Sequence, residues 1–174
     1  MRFRSFQASV LFLLFSSLCL IASEINENQI ETKRSGYWTY YCKNYEEEKQ
    51  CEIARKINIE QQNETFLIVY KITKNVNAKI KESLNIMTPT APRVNIKKRL
   101  KISFDDKTKF TRSFLECEKT RCLAVFKGNR TLKYSMKNFN KMKITFFGFD
   151  DEEPISLTLS MDGFKQALDD LYQR

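Results

Sequence analysis

The chain has 174 residues, 42 % of them hydrophobic, and 30 Lys and Arg against 21 Asp and Glu give it a net charge of +9 with no histidine at all. Without histidine there are no Ser-His or Cys-His nucleophile pairs and no histidine-ligated metal centre. The length suits one domain able to bury a core, and the basic balance points either to anionic partners or to a solvated lysine surface.

Arg2 and Arg4 precede an apolar run over residues 10–22, broken by Ser16 and Ser17 and followed by Ser23 and Glu24. This is the layout of a secretory signal peptide. Spanning a bilayer takes roughly 20 apolar residues, more than this run offers. Residues 1–23 are therefore read as a cleaved leader that leaves no stable membrane anchor, and the chain as exported, either periplasmic or secreted. Cys19 falls in the removed segment. Residues 24–35 are polar and aperiodic and read as a flexible leader, with one domain over 36–174.

Trp38, Tyr40 and Cys42 alternate with Tyr37, Thr39 and Tyr41, which is a strand pattern. A charged turn follows, and a return strand carries Cys51, Ile53, Ile57 and Ile59. Residues 65–73 form a strand rich in β-formers; 84–88 form a shorter one that Pro89 and Pro92 end. Leu100, Ile102 and Phe104 alternate up to Asp105-Asp106. Residues 113–126 read as a hairpin whose polar loop, 118–121, lies between Cys117 and Cys122. In that reading Phe114 and Leu115 face Leu123 and Val125 in the core. Leu132, Met136 and Phe139 recur at helical spacing. Strands over 142–149 and 154–159 flank an acidic turn. Ser160 is placed to cap a last helix with Phe164, Ala167, Leu168 and Leu171 on one face. With eight or nine short strands, the fold class is mainly β: a single-domain β-sandwich or open barrel with two short peripheral helices.

Four cysteines remain after the leader: Cys42, Cys51, Cys117 and Cys122. An even count in an exported chain points to two disulfides. Three pairings are open, and nearness along the chain favours Cys42–Cys51 and Cys117–Cys122. The eight residues between Cys42 and Cys51 are wider than zinc-ligand spacings, there is no histidine, and neither pair has the two-residue spacing of a dithiol redox motif. No catalytic, cofactor-binding or metal-binding residue is assigned. Asp105-Asp106 and the acidic run at 150–153 suit carboxylate catalysis or calcium, but charged turns look the same. The candidate binding surface is Lys97, Lys98, Arg99 and Lys101 together with Tyr37 and Tyr41. The chain reads as exported and no nucleic-acid module is present, so nucleic acid is not the partner expected.

Several of these stretches resemble one family. Trp38 with Cys42, followed by Cys51-Glu52, is similar to the opening cysteine pair of invasion-associated locus B proteins. Leu100 to Asp105 resembles that family's strand ending in Asp, and Cys117 through Ala124 its central cysteine pair. Ser160 to Leu171, with Gly163-Phe164 and Ala167-Leu168, resembles its closing motif. The order of the four agrees as well. Two positions depart: Arg121 stands where the family has Gly, and the segment after Pro89 has none. The family is α-proteobacterial, exported, and named for a locus linked to entry into host cells. The resemblance therefore implies a non-enzymatic host-interaction or envelope role, with a host-surface or bacterial envelope component as the partner. It supplies no catalytic residues.

Overall fold

The computed structural model describes residues 31–44, 48–59, 64–75, 79–89, 94–148 and 153–172. The expected signal segment 1–23 lies outside them. Alternating residues in the first half build a meander: β1 (Glu31–Ser35), β2 (Trp38–Asn44), β3 (Glu48–Ile59), β4 (Glu64–Asn75) and β5 (Ile80–Pro89), each antiparallel to the next. The chain then leaves this sheet for β6 (Leu100–Phe104) and β7 (Thr108–Arg112). It returns through β8 (Glu116–Cys117) and β9 (Arg121–Lys127), which pairs with β5. Helix α1 (Arg130–Asn138) leads to β10 (Lys141–Phe147), β11 (Pro154–Ser160) and helix α2 (Phe164–Tyr172).

The result is a seven-stranded sheet ordered β1-β2-β3-β4-β5-β9-β8 and a four-stranded sheet ordered β11-β10-β6-β7. The two do not close into a barrel. Residues 108–117 act as a corner: the first half pairs with β6 and the second with β9, and Leu115 N–H donates to Leu123 O at 2.7 Å. A strand that changes sheets in this way makes the outer faces of the two sheets continuous.

The core lies between the inner face of the large sheet and a cover made of the small sheet and both helices. Phe164 is its centre, edge-on to Trp38 at 5.0 Å and to Tyr70 at 5.6 Å. The expected stripe of α2 is buried in full, at Phe164, Ala167, Leu168 and Leu171. Both expected disulfides are formed, Cys42–Cys51 and Cys117–Cys122, each joining directly opposed residues of an antiparallel pair.

Three local expectations are corrected. Residues 31–35 of the expected leader form β1; it is an edge strand, so its Thr-Lys-Arg side chains face water and leave no apolar alternation. The central hairpin is not the core: Leu115 is 69 % exposed, and Cys122, Ala124 and Phe126 take the inward positions of β9, which turns Leu123 and Val125 outward. Ser160 ends β11 and its hydroxyl accepts from Asp162 N–H, in the turn before α2 rather than at its cap. Gly163 sits against the β1–β2 turn. Gly163 and Gly36 both have positive φ, +85° and +55°, and their backbones touch: a Cβ on Gly163 would lie 2.0 Å from Ser35 O. Only glycine on both sides allows that approach. Among the described residues there are eleven strands; the two-residue β8 is too short to be read from sequence.

Candidate binding surface

The structure separates the six residues of the expected surface. Tyr37 is 55 % exposed in the turn before β2, with the Arg55 guanidinium 4.5 Å from its ring centre. Burial pulls Arg55 below its ordinary pKa, and its guanidinium also donates to Ser160 O. Tyr37 thus belongs to a structural stack at one end of the sheet. Tyr41 is half-buried on the outer face, and its hydroxyl donates to Glu52. Lys97 and Lys98 are exposed in the loop before β6, where Lys98 Nζ lies 4.0 Å from the Phe147 ring centre. Arg99 turns the other way, towards Thr111, Arg112 and Val125 at the corner. Lys101 projects from β6 onto the outer face of the small sheet.

Lys101 has neighbours that no run of sequence announces. Across β10, β6 and β7 one cross-strand row reads Lys143–Ser103–Lys109, and the next reads Thr145–Lys101–Thr111. Lysine and hydroxyl alternate like the squares of a board. Like charges directly opposed on neighbouring strands are destabilising, and this pattern places them on diagonals of about 7–8 Å instead. These residues, with Asp106 and Ile102, line a shallow depression of about 380 Å³. On the large sheet a longer row runs Tyr41–Glu52–Lys71–Ser83–Lys127 over five strands.

Two carboxylates that resemble catalytic groups serve the fold. Glu82 sits between β4, β5 and both helices. It accepts from Tyr70 Oη at 3.0 Å, from Lys133 Nζ at 2.9 Å and from the Tyr172 hydroxyl. Burial pushes its carboxyl up, but the bonds from Tyr172, Lys133 and Tyr70 with the Lys133 charge outweigh that and hold it below the usual range. Burial first, and the Glu82 charge second, raise the Tyr70 hydroxyl far above its ordinary value. The group is a tie between helices and sheet. Asp105, one of the sequence's acid candidates, has φ 44° and accepts from Asn140 N–H at 3.1 Å and Lys141 N–H at 2.9 Å, which joins the β6–β7 turn to β10. The acidic run at 150–152 lies outside the described residues. Arg121 opens β9 without left-handed backbone, so the glycine of the resembling family is not required at that place.

Comparison with known proteins agrees with this arrangement. No curated protein matches the chain. Among solved structures, invasion associated protein B from Bartonella henselae superimposes with a TM-score of 0.65 at 17 % identity, covering 82 % of this chain and 96 % of that one. At that identity the likeness is one of fold. The family model described as Invasion associated locus B (IalB) protein matches residues 38–172. That span takes in both disulfide hairpins, the corner between the sheets and both helices. The chain belongs to the invasion associated locus B family.

Proposed function

We propose that the chain is an exported, non-catalytic binding protein that acts at the surface of a host cell. The observation that carries this reading is the family match along the whole domain, residues 38–172. Two formed disulfides suit an oxidising compartment outside the cytoplasm. Among the described residues no helix is long and apolar enough to cross a membrane. The groups nearest to acid-base chemistry, Glu82 and Asp105, are held in structural bonds, which favours binding over catalysis.

Fractionation of bacteria in contact with host cells tests the proposal. The protein is expected in the medium and on the host surface. Confinement to the periplasm would move its role to a bacterial envelope partner. Turnover of glycan or peptide substrates by the oxidised protein, abolished by a carboxylate substitution, would overturn the non-catalytic part.

A further inference from the structure

We infer that the outer face carries one continuous track of cations that seats a linear sulfated polysaccharide; this gives the host-surface reading its ligand class and rests on that reading. Three shallow depressions lie end to end. The one on the small sheet, about 380 Å³, shares Thr111 with one of about 310 Å³ at the corner. That second one shares Val125 with a third, of about 630 Å³, on the large sheet. The corner strand is what aligns them, since it carries one outer face into the other.

Each depression is lined by cations. The first has Lys101, Lys109 and Lys143; the corner has Arg99 and Arg112; the third has Lys81 and Lys127 beside Lys71. Among the described residues the acidic groups lining the path are Asp106 and Glu82; Glu82 is already paired with Lys133 at 2.9 Å, and Lys71 at the far end is paired with Glu52 at 3.9 Å. Lys81, Lys101, Lys109, Lys127 and Lys143 form no ion pair with any described acidic residue. A surface that serves solubility alone intersperses both signs. This one spaces unpaired ammonium groups between hydroxyls of Ser103, Thr111, Thr145, Thr73 and Ser83. Ammonium and hydroxyl groups are donors suited to the acceptor-only oxygens of sulfate.

The shape selects the polymer. The track crosses β10, β6 and β7 on the small sheet, rounds the corner, and crosses β9, β5 and β4 on the large one; at about 4.8 Å between paired strands each sheet contributes roughly 10 Å, with the corner between them. That is long for a small molecule and suits several units of an extended chain. A planar membrane would meet only part of a face that turns through a corner. Single-stranded nucleic acid would want rings to stack on. The aromatic that lines the path, Phe114, is half-buried and packed against the core.

The test measures binding of heparin oligosaccharides to the oxidised protein over a range of salt concentrations. Micromolar or tighter binding is expected, weakening linearly in log–log form, with desulfated heparin failing to bind. The Lys101→Ser/Lys109→Ser/Lys143→Ser variant should bind at least about tenfold more weakly, with a salt slope smaller by roughly three. Arginine at the same three positions should retain binding. Arg130→Ser/Lys165→Ser, on the two helices, should change it less than about twofold. Equal loss in track and helix variants would mean net charge alone, and the track would be abandoned. Stronger binding to phosphatidylserine vesicles than to heparin, lost in the same triple variant, would assign the face to a membrane. Host-cell attachment that heparin does not compete for and the triple variant keeps would overturn the polysaccharide while leaving the host-surface reading intact. Failure of export would remove that reading without touching heparin binding in the tube.

Discussion

Phe164 and Gly163 are neighbours that carry different burdens. Phe164 fills the space between Trp38 and Tyr70, so Phe164→Ala is expected to cost about 3–5 kcal/mol in denaturant melts of the oxidised protein. The adjacent exposed Lys165→Ala should change stability by about half a kcal/mol or less. Similar effects from the two would mean that α2 does not dock. Gly163→Ala is expected to cost at least about 2 kcal/mol, from left-handed backbone and from contact with Ser35 O. Glu82 gives a pH signature. Its folded pKa is depressed, so its contribution is present above the unfolded glutamate range and is lost as pH falls through the folded value. Melting temperature should therefore fall on acidification in the native protein. Glu82→Gln should start lower at neutral pH and lose less in acid; parallel curves would show that the carboxylate is not the source. The stripe of α2 was legible in the sequence because helical spacing reports burial directly. Glu82 was not, since its partners Lys133 and Tyr172 stand in two separate helices.

The two disulfide hairpins are alike in sequence and unlike in setting. Ring closure in the chain-entropy model gives about 2.5 kcal/mol for Cys42–Cys51 and about 2 for Cys117–Cys122, so entropy hardly separates them. Burial does: Cys42 and Cys51 lie in the core, whereas Cys117 is exposed. Mild reductant followed by alkylation and peptide mass spectrometry should open Cys117–Cys122 first. Earlier labelling of Cys42 would contradict the packing of the β2–β3 hairpin. The same contrast explains why the pairing could be read from spacing while the centre of the fold could not. Alternation at Leu115, Leu123 and Val125 shows a two-faced strand, but which face is covered depends on where α1, α2 and β10 come to rest. β1 escaped notice for a related reason: Lys33 and Arg34 protect an open sheet edge and dilute any strand pattern there.

Over the whole molecule, what the sequence leaves unread is what long-range pairing assembles. Lys81, Lys101, Lys109, Lys127 and Lys143 are scattered along the chain, and only the order of strands around the corner lines them up. Lys98 and Arg99 are contiguous, and the structure turns them apart, one to Phe147 and the other to the corner. Long-range order also ties the first described strands to the last helix. Lys33 pairs with Asp170 at 2.7 Å, Gly36 meets Gly163, and Trp38 packs on Phe164. A chain ending at Ser160 is thus expected to show fast hydrogen exchange through β1–β3; protected amides there would mean that the sheet stands without its helix. The contact between Trp38 and Phe164 has a consequence in time as well as in energy. A polypeptide that emerges N-terminus first displays the Trp38–Ile72 half of its core long before the helix that covers it exists. Until then the apolar meander is exposed and open to chaperones. Arrival of Phe164 is the event that ends that window.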